Sequence, residues 1–167
     1  MTIKSMYQQR EPLEHFAQQT FEFLATEHGF VAQPLEHSVW SSTLCYTKDL
    51  LAIEVSLDFR DTYVEMEVVK LQNGKIPPHG YVVKGERIRM PCIYLLRDIL
   101  YVHDTQVDAL YDYLTTSQQR GYDFAVTSLQ EFRAILVEHL DAIVQQSLDV
   151  LFPQTLPPTP SSHSPNI

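Results

Sequence analysis

One stretch of this chain, residues 53–71, constrains the fold more than any other. Its sequence, IEVSLDFRDTYVEMEVVKL, alternates apolar and polar residues almost without interruption, and a period of two places successive side chains on opposite faces of a β-strand. If Arg60 and Asp61 form the turn, Leu57 lies opposite Val64, and the inward-facing pairs of the two strands are apolar. The stretch therefore predicts an antiparallel hairpin with one buried face and a fixed register.

The polar face of this hairpin carries a cluster of carboxylates. The same register places Glu54 opposite Glu67 and Ser56 opposite Glu65, with Asp58 near the turn. Two unit charges about 5 Å apart in water repel each other by only about 0.8 kcal/mol, so solvent alone can tolerate them. The face is therefore either a solvated surface, a binding surface for a basic protein partner, or a metal site. We name Glu54, Asp58, Glu65 and Glu67 as candidate partner-binding residues and assign no metal to them.

Signals on both sides of the hairpin predict an α+β domain over residues 1–152. Residues 12–28 have helical apolar spacing that ends at Gly29, and three strands follow it, at 39–46, 50–59 and 62–71. Beyond Pro91 the period becomes helical. The predicted fold is an N-terminal helix, a three-stranded antiparallel meander and three C-terminal helices, which are one from 92 to 102, one starting at Thr105 and one starting at Ser128.

Two further segments have their own signatures. Residues 81–83 and 87–89, on either side of Lys84 and Gly85, predict a small extra hairpin. The last stretch, 153–167, has five prolines and three serines in fifteen positions, so we predict a disordered tail. A proline-rich sequence of this kind can also be a ligand for an aromatic-lined groove.

Composition and motifs exclude several classes of function. A net charge of -9 and a pI near 5.1 oppose binding to nucleic acid or to an anionic membrane. The N-terminus has no apolar run of signal-peptide length, and no run of about 18 apolar residues occurs, so we expect a cytoplasmic protein that does not enter a membrane. Neither the two cysteines, Cys45 and Cys92, nor the histidines have metal-ligand spacing, and phosphate-loop, dinucleotide and nucleophile-elbow motifs are missing. We expect no cofactor and no catalytic residue.

A basic segment offers a candidate anion site. Half of the twelve basic residues lie between residues 70 and 97. Among them we name Lys84, Arg87 and Arg89 as candidate anion-binding residues. Their loop lacks the glycine-rich form that presents backbone N–H groups to phosphate. The alternative is that these residues only balance the charge of the acidic sheet or helices.

The helical half is rich in tyrosine, which combines a rigid apolar ring with a polar tip and is common at interfaces. Tyr111 and Tyr113 are two positions apart and cannot share one helix face. At least one is therefore exposed. We name both as candidate partner-binding residues, with a surface for self-association and an ordinary amphipathic rim as equal alternatives.

Two resemblances add to this interpretation. The order of elements over 12–71 resembles that of PD-(D/E)XK nucleases, which implies a divalent metal with Asp58 as first acid and Glu65 or Glu67 as second. The chain departs from the family's acid-x-Lys motif, because Glu67 stands where the lysine belongs and Lys70 lies three positions further. In size, charge and element order the chain also resembles small acidic α+β proteins encoded beside bacterial toxins as immunity factors, or other uncharacterised accessory proteins of bacterial conflict loci.

Together these observations predict a non-catalytic, adaptor-like or immunity-like protein. It would bind a protein partner, basic if it meets the acidic face, through the acidic sheet face or the tyrosine-rich helical surface. One alternative is a metal-dependent hydrolase that uses Asp58 and the glutamates. Another is a small-ligand-binding module, with a pocket between the sheet and helix 92–102 where Trp40, Arg87 and Arg97 meet.

Overall fold

A computed structural model describes residues 5–118 and 120–154 of the chain. The predicted tail, 153–167, therefore lies almost entirely outside the described residues. The fold is α+β, with an N-terminal helical region, an antiparallel sheet and C-terminal helices, as the sequence predicts. The single helix predicted over 12–28 is two helices. None of the described helices is both long enough and apolar enough to cross a membrane.

The N-terminal half contains short helices followed by the strands. A 3₁₀ turn, Tyr7–Gln9, leads into α1 (Arg10–Phe21) and α2 (Phe23–His28). Gly29 ends α2 in the left-handed region, with φ of 73°, as expected for a glycine after a helix. The strands are β1 (Val31–Ala32), β2 (Glu36–His37), β3 (Ser41–Lys48), β4 (Leu51–Asp58), β5 (Tyr63–Lys70), β6 (Val82–Val83), β7 (Glu86–Arg87) and β8 (Arg89–Pro91).

The C-terminal half is helical. It contains α3 (Cys92–Tyr94), a π-helix (Leu95–Ile99), α4 (Thr105–Thr116), α5 (Tyr122–Val144) and α6 (Leu148–Leu151). The predicted single helix over 92–102 is thus a short α-helix that widens into a π-helical turn, and α6 was not predicted.

The register predicted for the central hairpin is confirmed. Ile53 pairs with Val68, Leu57 pairs with Val64, and Glu54 pairs with Glu67. The connection is the four residues 59–62, which keeps the register that a turn at 60 and 61 requires. Since Ile53, Val55, Leu57, Val64, Met66 and Val68 all lie on one face, packing and turn length select the same pairing.

The sheet has six strands instead of the predicted three. Besides β3, β4 and β5, it includes β1 and β2, which both pair with β3, and β8, which pairs with β5. Strands of two or three residues are too short to display a period of two. Pro91 is an uncommon strand residue, although proline is tolerated on an edge strand. The extra hairpin is present as β6 and β7, with Lys84 and Gly85 at positive φ between them.

One predicted helix start is confirmed, because α4 begins at Thr105, whereas the other needs correction. The N-cap of α4 is Asp104, whose side chain accepts a hydrogen bond from the backbone N–H of Gln106 at 2.8 Å. Helix α5 begins at Tyr122, six residues before the predicted Ser128. Ser128 is fully buried inside the helix and donates to the carbonyl oxygen of Phe124. A buried serine can bond the preceding turn in this way, so its presence did not mark a helix end.

The two faces of the sheet are covered by different elements. The inner face packs against α1 and α5 and contributes the buried residues Ile53, Val55, Leu57, Val64, Met66 and Val68. The outer face is crossed by the irregular segment 76–81, which precedes β6. There Ile76 packs on a small apolar cluster of Cys45, Ala52, Val69 and Leu71. The predicted solvated face is therefore partly covered by the protein's own chain.

Candidate functional site

The carboxylates of the acidic face have the strand pairing that the sequence predicts, but they are not all exposed to solvent. Glu54 is only 5% exposed, whereas Glu65 and Glu67 are half-buried. The expectation that these carboxylates protrude into water is wrong for Glu54. Glu67, its partner on the adjacent strand β5, lies beneath the same segment, 76–81.

Arg89 explains how the carboxylate of Glu54 can be buried. Its guanidinium donates to both oxygens of Glu54, from Nε at 3.3 Å and from Nη2 at 3.2 Å. It also donates to the carbonyl oxygens of Pro77, Pro78 and Gly80 at 3.1, 2.6 and 3.1 Å. Guanidinium has five N–H donors in a fixed fork, and all of them are used here. We call this arrangement the Arg89 clamp.

The Arg89 clamp binds the segment 76–81 to the outer sheet face. Glu67 adds a second carboxylate, with its Oε2 at 3.5 Å from Nε of Arg89. A buried arginine requires paired charge and full hydrogen bonding, and both conditions are met. The charge-balancing interpretation of the basic segment therefore applies to Arg89.

Three titratable side chains, Glu65, Glu67 and Tyr81, lie close together beside the clamp. Tyr81 donates from its hydroxyl to Glu65 at 3.1 Å. Burial, followed by the charge of Glu65, raises the pKa of Glu67 to about 7. Burial also raises the pKa of Glu65. Glu54 and Glu67 thus face one guanidinium, and Glu65 lies next to Glu67. A proton on Glu67 reduces the mutual repulsion of these carboxylates near neutral pH.

Asp58 has a local role in the turn. Its Oδ1 accepts hydrogen bonds from the backbone N–H groups of Arg60 and Asp61, both at 2.9 Å. Such side-chain capping is a common way to stabilise a turn. Within residues 5–118 and 120–154, no group of three or more His, Cys, Asp or Glu side chains could hold a metal ion.

The three candidate anion-binding residues do not converge. Lys84 is exposed at the tip of the β6–β7 hairpin, and Arg89 is buried in the clamp. Arg87 lies between these extremes. Its buried Nε has no hydrogen-bond partner in the part of the chain that the structure describes. The three side chains therefore differ in their exposure to an anion in solvent, and only Lys84 is exposed.

The tyrosine-rich surface forms a shallow groove. It lies where the start of β5, the end of β8, α3, the π-helix and α4 meet, and it has a volume of about 150 Å³. We call it the tyrosine groove; its lining residues are Tyr63, Pro91, Ile93, Tyr94, Arg97, Asp98, Tyr111, Leu114 and Thr115.

The rim of the tyrosine groove is built by an arginine stacked on a tyrosine. The guanidinium carbon of Arg97 lies 3.9 Å from the ring centroid of Tyr111, a cation–π contact. Nε of Arg97 also pairs with Asp108 at 3.3 Å. Tyr111 remains 41% exposed. The groove thus presents a fixed arginine–tyrosine pair to solvent.

The π-helix positions Arg97 and Asp98 on the groove wall. Its backbone bonds span five residues, as in the bond from Leu100 N–H to the Leu95 carbonyl at 2.9 Å. Such turns occur frequently at functional sites. Tyr101, just beyond it, has a φ of 51° and is 66% exposed. Tyr101 is therefore a strained, exposed tyrosine next to the π-helix, although it does not line the groove.

Tyr113 points away from the groove. Its ring stacks on Phe124 with centroids 5.3 Å apart, and it is half-buried against the core. The prediction that Tyr111 and Tyr113 occupy different faces is confirmed. Sequence reasoning missed Tyr63 and Pro91 in the groove, because they lie at strand ends far from α4 in the chain. The predicted ligand pocket includes Arg97, but neither Trp40 nor Arg87 lines the groove.

A larger cavity lies between α1, α2 and the edge of the sheet. Its volume is about 390 Å³, and polar side chains line it together with Leu44 and Tyr46. Burial, and then the charge of Glu22, raises the pKa of Tyr46 to about 12. We call it the amide cavity, after the glutamines on its wall, Gln18, Gln19 and Gln33.

Comparisons with known proteins identify no relative of this chain. No family model, no curated protein and no solved structure matches it.

Proposed function

We propose that the protein is a non-catalytic cytosolic binding protein that holds a protein partner in the tyrosine groove. The single observation that carries the proposal is the Arg97–Tyr111 pair, stacked at 3.9 Å on the rim of the groove. Tyrosine and arginine are enriched among the residues that dominate binding energy at interfaces. The stacking holds both side chains in place, which reduces the entropy lost on binding.

The size of the groove indicates what part of a partner it accepts. Small-molecule sites usually have volumes of about 300 to 1,000 Å³, whereas this groove has about 150 Å³. That space suits one or two side chains. Flat aromatic walls favour proline or aliphatic residues in an extended segment, with Arg97 and the tyrosine hydroxyls donating to its carbonyl groups.

The acidic sheet face supports the proposal less well. Glu54 and Glu67 already face Arg89 of the same chain. Their charge is therefore partly neutralised before any basic partner approaches. Of the two surfaces expected from the sequence, the helical one has a groove lined by several tyrosine side chains.

A peptide library displayed on phage tests this proposal. We expect the wild-type chain to enrich extended sequences that contain proline or aliphatic residues. Tyr111→Ala should remove that enrichment, because Tyr111 forms the rim. Tyr101→Ala is the matched control, since Tyr101 is exposed but does not line the groove. Equal enrichment by the wild type and Tyr111→Ala would contradict the proposal.

Binding of a small polar ligand in the amide cavity is a second candidate. Its volume of about 390 Å³ lies within the range of small-molecule sites. Fragment screening by NMR tests it. Binding there should shift the side-chain amide signals of Gln18 and Gln33, and a screen without such shifts would remove this candidate.

A further inference from the structure

We propose that the proline-rich segment 155–167 is itself a ligand of the tyrosine groove and occupies it in cis until a protein partner displaces it. This inference rests on the groove being the peptide-binding site proposed above. Three features support it: the point at which the described chain ends, the length of chain beyond that point, and the chemistry of that segment.

The last described residues follow α6, which lies beside the π-helix that forms one wall of the tyrosine groove. Helix α6 packs against the π-helix, and Leu151 and Phe152 are buried there, with 0% and 3% of their surface exposed. These two side chains anchor the start of the C-terminal segment. Arg97 and Asp98, on the same π-helix, line the tyrosine groove.

The remaining length is sufficient to reach the groove. The densest proline run, LPPTP at 156–160, begins four residues after Phe152. An extended proline-rich chain rises about 3.1 Å per residue, so four residues span about 12 Å. A helix with its side chains is about 10 to 12 Å across. The proline run can therefore cross from the α6 side of the π-helix to its groove side.

The chemistry of the segment matches the groove. Residues 155–167 contain four prolines and no lysine, arginine, aspartate or glutamate side chain. The net charge of -9 therefore does not repel these side chains from the domain. Proline rings pack on aromatic faces, and proline-rich chains lose little conformational entropy on binding. A volume of about 150 Å³ accepts one or two of these rings.

A competition experiment tests the proposal with full-length chains. The probe is a fluorescent synthetic peptide of residues 155–167, titrated by anisotropy. One chain carries Pro157→Ala, Pro158→Ala and Pro160→Ala. A control chain carries Pro165→Ala, which lies outside the LPPTP run. Each is also made with Tyr111→Ala.

We expect the triple-alanine chain to bind the probe about ten-fold more tightly than the wild type. The tethered segment competes with the probe at an effective concentration of about 1 mM, so a probe Kd of about 0.1 mM gives this factor. The Pro165→Ala chain should behave like the wild type, and Tyr111→Ala should abolish binding in every chain.

The other outcomes separate the two proposals. If the probe binds the wild-type and triple-alanine chains equally and needs Tyr111, the groove binds peptides but does not hold its own segment, and this inference is wrong. If the triple-alanine chain does not bind the probe, this inference is wrong, and the peptide-library experiment decides the proposed function separately. Sedimentation supplies a second measurement: a mass that doubles with concentration only while the prolines are present would place the segment on another copy and overturn binding in cis.

Discussion

Replacing Arg89 by methionine should destabilise the protein more than any change to another basic residue discussed above. The substitution leaves the Glu54 carboxylate buried without a partner and removes the donors to three backbone carbonyl groups. Removal of one partner from a buried ion pair costs about 3 to 5 kcal/mol. We therefore expect Arg89→Met to lower the free energy of unfolding by about that amount.

The double variant Glu54→Met with Arg89→Met should recover part of this loss. Without its charge, the site adjoins the apolar cluster of Cys45, Ala52 and Val69. Hydrophobic replacement of a complete buried pair is often close to neutral. The carbonyl groups of 77, 78 and 80 still lack donors, so we expect a cost of about 1 to 3 kcal/mol, mostly from those groups.

Urea unfolding with linear extrapolation measures these differences, provided that the slope is unchanged. Arg97→Met is the matched control. Arg97 and its partner Asp108 are 29% and 64% exposed, and an ion pair of that kind contributes about 0 to 1 kcal/mol. If Arg89→Met cost less than about 1 kcal/mol, or if the double variant lost the sum of both single changes, the reasoning about the Arg89 clamp would be refuted.

Three further changes test other parts of the structure. The pKa of Glu67 is raised from 4.5 to about 7, so its stabilising contribution is complete below about pH 4.5 and is lost as pH rises through about 7, by up to about 3 kcal/mol. Glu67→Gln should remove this pH dependence of the free energy of unfolding, measured by chemical denaturation between about pH 5 and about pH 8. An unchanged pH dependence would contradict its assignment to Glu67. Asp104→Ala should cost about 1 kcal/mol of α4 stability in thermal unfolding, whereas Asp104→Asn should retain most of it; equal losses would exclude a capping role. Tyr113→Ala should cost about 2 kcal/mol through its contact with Phe124, whereas Tyr111→Ala should cost less than about 1 kcal/mol, and calorimetry showing the reverse order would contradict the assignment of the two faces.

The register of the central hairpin could be predicted because two local signals agree. The alternation of Leu57 and Val64 with polar neighbours and the short turn both require the same pairing. The role of Asp58 was less clear from the pattern, because its bonds run to the backbone of the following turn. An aspartate can stabilise a turn in this way, but aspartate is also common in metal sites and in partner-binding surfaces, so the residue type alone did not identify the role of Asp58.

The Arg89 clamp could not be predicted, because its partners come from distant parts of the chain. Arg89 is 35 residues from Glu54, and β8 is too short to display a strand pattern. A single sequence contains no signal for which carboxylate an arginine meets. For the same reason, the sequence predicted that Tyr111 or Tyr113 is exposed, but not that Tyr63 and Pro91 complete a groove beside Tyr111.

The shortness of the outer strands has a further consequence. Long, flat border strands expose unpaired backbone groups on which other chains can add and form aggregates. Here β1 and β2 each pair over only two residues of β3, and β8 pairs over three residues of β5 and ends at Pro91. Because proline lacks the N–H group that an incoming strand would need, these borders oppose the addition of a further strand from another molecule and limit fibril-like growth of the sheet.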